Sequence, residues 1–145
     1  MSDDLNMQQM QKQLVLHEGM RTEPYHCTAG KLTIGVGRNL DDVGISEDEA
    51  MVLLANDIAK AEAEVSDRIS AYAGLDEVRK RVLVDMSFNM GIGGLLKFKN
   101  MLAALEAGDY AETARQMLDS RWARQVGSRS ERLSTMMETG EDQIA

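Results

Sequence analysis

The chain has 145 residues and a formal net charge of −8, from 16 Lys and Arg against 24 Asp and Glu. That length fits one domain, with room for two lobes about a shared core, and it can bury that core without staples. The acidic balance argues against nucleic acid, whose phosphates need a basic face, and against electrostatic attraction to an anionic membrane.

Hydrophobic residues make up 43%, which suits a globular chain and is too many for a disordered one. One Trp, three Tyr and two Phe stand against 11 Met, so an aliphatic, Met-rich core is expected. Cys27 is the single cysteine, which excludes an intramolecular disulfide and a cysteine metal cluster. His17 and His26 are the two histidines and argue against a histidine zinc site. The stretch from Met1 to Lys12 is polar, and no apolar run approaches about 18 residues, so neither an export signal nor a membrane anchor is predicted.

Ser2, Asp3 and Asp4 read as a helix start, a cap with negative charge near the helix dipole. The helix is expected to reach His17 or Glu18, with Met7, Met10, Leu14 and Val15 on one face, and Gly19 as its stop. Pro24 then blocks helix. Residues 31–37 alternate, which predicts a half-buried strand with Leu32, Ile34 and Val36 inward and Lys31, Thr33 and Gly35 outward. Thr28-Ala29-Gly30-Lys31 is a plausible hairpin turn. Gly35 and Gly37 point to a bulge or a close backbone approach.

Ser46 with Glu49 makes a capping box. Met51, Leu54, Ile58, Ala61 and Val65 then form an amphipathic stripe, predicting a helix to about Ile69. Val78 to Met90 is apolar on several sides and reads as a buried central helix, broken by Gly91, Gly93 and Gly94. A helix over 95–105 ends at Gly108. Asp109 caps the next, Ser120 caps a short turn holding Trp122, and Ser128 begins the last, from Arg129 to about Thr139. The fold class is α+β and mostly helical. A small β-hairpin lobe (about 19–45) is joined by a long helix (about 46–69) to a larger helical lobe (about 70–145, with the N-terminal helix), all within a single domain.

Three residues stand out against that scaffold. Glu18 sits at a helix end beside Leu14, Leu16 and Met20, where apolar neighbours could raise its pKa as a general acid needs; a solvated helix-terminal charge is the other reading. Thr33 lies on the polar side of the strand. Cys27 just precedes the turn and is either a functional thiol or a small filler.

The run Leu16-His17-Glu18-Gly19, then Tyr25, then residues 30–37, resembles the active-site segment of the phage-type lysozymes, the endolysins of glycoside hydrolase family twenty-four. Their pattern is Glu, eight residues, Asp or Cys, five residues, Thr; this chain has Glu18, Cys27 and Thr33 at that spacing. Residues 45–50, 85–91, 108–110 and 120–122 resemble later landmarks of the family, and Arg129 with Arg132 falls where the family has cleft arginines. The resemblance covers roughly residues 13–140.

It implies a lysozyme-like fold and hydrolysis of the β-1,4 bond between N-acetylmuramic acid and N-acetylglucosamine in peptidoglycan. Glu18 would be the acid, with Thr33 and Cys27 positioning the water. A separation on the order of 6.5–9.5 Å between the acting groups would leave room for that water and invert the anomeric carbon. A thiol with an ordinary pKa of about 8.5 cannot match a carboxylate's charge at neutral pH, so Cys27 is expected to assist.

Arg129 is read as a positioning partner of Glu18 or as a structural pair. Asp85 is read as a sugar contact or a structural hydrogen bond, and Arg38 as a residue at the cleft rim. His17 fits packing better than catalysis, and Trp122 fits a core anchor better than a sugar platform. The Asn39–Ile45 connection is short, predicting an open β lobe.

No cofactor or metal is implied. The implied partner is the glycan strand, approached by a monomer that waits in the host cytoplasm and depends on a holin for access. The rival readings are a lytic transglycosylase giving 1,6-anhydro products and a non-catalytic peptidoglycan-binding virion module. Murein is anionic, yet most of the charge sits on residues 46–70 at net −5, while Arg115 to Arg132 holds five Arg against Asp119 and Glu131. A locally basic C-terminal patch and weak salt dependence follow.

Overall fold

The computed structural model describes residues 4–144. Among them are seven α-helices, one 3-10 helix and a three-stranded antiparallel sheet, so the α+β class expected from the pattern is what is found. The chain divides into two compact units, one up to Val52 and one from Leu53. The division falls inside one continuous helix.

The first unit opens with α1, Met7–Glu18. Its cap is Asn6, whose side chain accepts from the Gln9 N–H at 3.0 Å. Ser2 and Asp3, expected to cap this helix, lie outside the described residues. Gly19 ends α1 as expected, with φ +79, and its N–H donates to the Val15 carbonyl. None of α1's residues is buried; Met7 and Leu14, expected inward, are exposed.

The chain then builds β1 (Arg21–His26), β2 (Leu32–Gly35) and β3 (Arg38–Asn39), in that spatial order. Tyr25 pairs with Thr33 and His26 with Leu32, while Ile34 pairs with Arg38. Pro24 stands in the edge strand β1, where a missing N–H is tolerated, and the register slips between Arg21 and Tyr25. The alternation along β2 is as expected, but the burial is reversed. Thr33 is only 3% exposed, Leu32 and Ile34 are half-buried, and Val36 is exposed. Hydropathy alone therefore assigns the wrong inner face, because the Thr33 hydroxyl bonds the Lys31 carbonyl at 2.8 Å and can be buried without loss.

Helix α2 runs Glu47–Arg68. The capping box forms as expected: the Ser46 N–H donates to Glu49 Oε1 at 2.8 Å, and the Glu49 N–H donates to Ser46 Oγ at 3.1 Å. Of the predicted stripe, Ala61 and Val65 are buried, whereas Met51 and Ile58 are exposed.

The second unit holds the main core. The 3-10 turn Ser70–Gly74 leads to α3 (Glu77–Leu96), α4 (Lys99–Glu106), α5 (Tyr110–Leu118), α6 (Arg121–Val126) and α7 (Ser128–Thr139). Asp76, Asp109 and Ser120 cap α3, α5 and α6 through their side chains. Gly91 kinks α3, with φ +79, but Gly93 and Gly94 do not break it, and α4 starts later than predicted. Met86, Met101, Met117, Met136 and Met137 are almost wholly buried, giving the Met-rich core expected. Trp122 anchors it, donating Nε1–H to Asn89 Oδ1 at 2.7 Å and meeting Phe98 edge-on.

Arg79 closes this unit, and nothing in the sequence singled it out. Its Nε donates to the Met137 carbonyl at 2.6 Å and its Nη2 to the Glu138 carbonyl at 2.9 Å, satisfying the last turn of α7. Its guanidinium stacks 3.7 Å above the centroid of the Tyr110 ring. Arg79→Met leaves those carbonyls unpaired and removes the stack. It is expected to cost about 2–4 kcal/mol of stability in urea unfolding. A loss below about 1 kcal/mol, the level of an exposed ion pair, would contradict this.

Candidate functional site

Glu18, Cys27 and Thr33 all lie in the unit up to Val52. Two short turns govern their placement.

The first joins β1 to β2. Gly30 N–H donates to the Cys27 carbonyl at 2.8 Å and Cys27 N–H to the Lys31 carbonyl at 2.9 Å. Gly30 takes φ +78, the left-handed position that a three-residue hairpin loop requires. The turn therefore starts at Cys27, one residue earlier than predicted. It gathers backbone N–H groups around the half-buried thiol, which is the free cysteine expected. Hydrogen bonding from the Lys31 backbone, then from Ala29, holds the Cys27 pKa below its ordinary value, and burial opposes this only in part. The Thr33 hydroxyl and the Cys27 N–H both donate to the Lys31 carbonyl, at 2.8 and 2.9 Å. The two residues that the spacing nominated for handling water are thus neighbours.

The second turn joins β2 to β3 and carries Gly37 at φ +71. A Cβ built on Gly37 would stand 3.1 Å from Glu18 Oε2. The carboxyl of Glu18, the last residue of α1, therefore rests against this turn, though the residue as a whole is exposed. The paired glycines had signalled a close approach without naming what approaches. His17, beside Glu18, is exposed.

Arg38 follows Gly37 and is engaged within its own unit. Its guanidinium forks onto Glu49 at 2.8 and 2.6 Å and donates to the Gly44 carbonyl at 3.0 Å. What the structure gives this rim candidate is a structural tie that closes the short 40–46 connection onto α2. Sequence reasoning missed the partner, because the capping box already accounted for Glu49. The same connection is pinned to the sheet by Asp41, whose carboxylate accepts from the Leu32 N–H at 2.7 Å, and by Asp42 on Lys31 at 3.2 Å.

Asp85 and Arg129 lie in the unit from Leu53 and pair with each other. Arg129 Nη2 and Nε both donate to Asp85 Oδ1, at 2.6 and 2.9 Å. The pair sits on the wall of a mostly apolar groove of about 340 Å³, lined also by Leu54, Ile58, Arg81, Val84 and Phe88. Of the two readings of each residue, this geometry supplies the structural one. Among the described residues no group of three or more His, Cys, Asp or Glu is placed to hold a metal, and no helix is long and apolar enough to cross a membrane.

The Arg38 fork, with the Ser46 N–H after it, pulls Glu49 down to about 2 from an ordinary 4.5. A carboxylate lowered by folding adds stability above its ordinary value, and that addition fades as pH falls toward 2. The melting temperatures of the wild type and Glu49→Gln are therefore expected to differ at neutral pH and to converge between pH 4.5 and 2. A gap that stays constant over that range would contradict the assignment.

Three relatives place the chain. The phage lysozyme family model matches residues 15–138. Probable T4-type lysozyme 1 of Dictyostelium discoideum is 30% identical over 152 residues, covering 85% of this chain and 89% of that protein. That alignment is longer than the chain itself, so the relative carries residues with no counterpart here. The endolysin of Acyrthosiphon pisum secondary endosymbiont phage 1 is 29% identical over 127 residues, covering 83% of this chain and 84% of that protein. The pre-baseplate central spike protein Gp5 of Enterobacteria phage T4 is 27% identical over 96% of this chain, which spans only 29% of that protein. The family match and the lysozyme and endolysin relatives support a lysozyme or endolysin role, and with residues 15–138 matched the chain belongs to the phage lysozyme family.

Proposed function

We propose that this chain is a muramidase. It would hydrolyse the β-1,4 bond between N-acetylmuramic acid and N-acetylglucosamine in peptidoglycan and so act as an endolysin on the bacterial wall. The observation that carries this reading is that the Cys27 N–H and the buried Thr33 hydroxyl both donate to the Lys31 carbonyl beside a tight turn, in the same compact unit as Glu18.

Glycoside hydrolysis needs a proton donor for the leaving oxygen and a second group to direct water. Glu18, exposed and backed by the β2–β3 turn, is the donor in this reading. Thr33, buried and fixed by its own bond to the Lys31 carbonyl, orients the water through its remaining lone pairs. Cys27 deprotonates or holds that water. Its lowered pKa favours the thiolate more than in an ordinary thiol. The enzyme works without a cofactor and acts as a monomer, with no stable membrane association. It waits in the host cytoplasm until a holin opens a route to the murein.

Turnover of defined murein fragments tests the reaction. Hydrolysis gives products heavier by one water than the 1,6-anhydro products of a lytic transglycosylase, and inversion shows in the first-formed anomer. Loss of clearing in Glu18→Gln, by at least about a hundredfold with an unchanged melting temperature, is expected of a lost general acid. If Glu18→Gln keeps most of its activity, the assignment of the acid is wrong. A wild-type protein that binds murein and cuts nothing would favour a virion module.

Cys27 is separable from Glu18. Cys27→Asp, which supplies a full charge, is expected to match or exceed the wild type near neutral pH. Cys27→Ser, whose hydroxyl does not ionise there, is expected to fall below both. Equal rates for the three would make position 27 a filler.

A further inference from the structure

We propose that Gly37 is a positioning residue for Glu18: the absence of a side chain at position 37 is what lets the Glu18 carboxyl rest against the β2–β3 turn. This rests on the reading of Glu18 as the acid and adds a determinant of where its proton is held.

The geometry is specific to this one glycine. Gly35 and Gly37 flank Val36 in the same hairpin, and both take left-handed backbone, at φ +70 and +71. A Cβ built on Gly35 meets nothing within 4 Å. A Cβ built on Gly37 meets Glu18 Oε2 at 3.1 Å, Cδ at 3.5 Å and Cγ at 3.6 Å. The Glu18 side chain thus lies over position 37, with Cδ and Cγ at ordinary contact distance from such a methyl group and Oε2 closer than that.

Backbone conformation asks for glycine at both positions, but Glu18 asks for it only at 37. The atoms that would have to yield are the far end of a flexible, exposed side chain. A side chain at 37 therefore costs the fold little beyond the left-handed backbone penalty. The displacement falls on the carboxyl, by a few tenths of an ångström for a Cβ alone and by more for a longer side chain; a shift on the order of 1 Å in a reacting group can cost about a hundredfold in rate.

Asn tolerates left-handed backbone better than other non-glycine residues, so it is the substitution for both positions, and of the two only Gly37→Asn crowds Glu18. Both are compared with the wild type and Glu18→Gln for kcat, KM and melting temperature on murein fragments. The expected result is similar melting temperatures for the two Asn variants. The kcat of Gly37→Asn should be at least about tenfold below that of Gly35→Asn, with KM within about twofold. Equal kcat for the two, or a loss in Gly37→Asn confined to KM, overturns the proposal.

The Glu18 carboxyl carbon resonance supplies a readout that does not depend on activity. It should move in Gly37→Asn and stay in place in Gly35→Asn, and no movement in either overturns the proposal. An active Glu18→Gln sinks the acid assignment instead, and the resonance still decides whether position 37 places the carboxyl. If Gly37→Asn does not fold, adding Glu18→Ala removes the crowded group. Recovery of folding then supports the proposal, and failure to recover overturns it.

Discussion

The arrangement of the first unit depends on one carboxylate. Glu49 closes the capping box at the start of α2 and takes the Arg38 fork from β3. An exposed ion pair ordinarily contributes little. This one is bidentate and shares its acceptor with a helix cap, so it fixes direction more than it adds energy. It ties the end of the sheet to the start of the helix across a short connection, while Asp41 and Asp42 hold that connection to the start of β2. With β3 held at one end and β2 at the other, the turn carrying Gly37 has little freedom, and the Glu18 carboxyl rests on that turn.

The chemistry of the proposed site follows from backbone more than from charge. In place of a carboxylate, the chain has a thiol at the mouth of a tight turn. The N–H groups of Lys31 and Ala29 do for sulfur part of what a neighbouring cation would do, stabilising the ionised form without adding a charge that could also lower the acid. The buried Thr33 hydroxyl donates to the Lys31 carbonyl, which also accepts from the Cys27 N–H. Asp85 and Arg129, on the helical unit, satisfy each other, so neither presents an uncompensated charge to the apolar groove they line.

Much of the scaffold was legible. Caps at Asp109 and Ser120, the Ser46–Glu49 box and the stop at Gly19 are local devices, written in residues three or four apart, and they hold as read. The Met-rich core and Trp122 as its anchor were legible from composition and periodicity. What failed was burial. The β2 stripe predicts Thr33 outward, and the structure buries it, because a hydrogen-bonded hydroxyl is no obstacle to burial. The stripes of α1 and α2 predict buried faces where Met7, Leu14, Met51 and Ile58 are exposed, because periodicity identifies an apolar face but not what covers it. Asn6 caps α1, a residue the sequence did not single out, since a cap is settled by which side chain reaches the third N–H.

By itself the sequence determined the fold class, the order of the elements and the motif spacing of Glu18, Cys27 and Thr33, because these depend on neighbours along the chain. The tertiary structure decided the partners. It gave Glu49 to Arg38, Asp85 to Arg129, the α7 carbonyls to Arg79 and Gly37 to Glu18, pairs that lie 11 to 59 residues apart. Spacing cannot rank such pairs. Each is one choice among many residues of the right charge or size, and only the folded backbone brings one of them within a few ångströms.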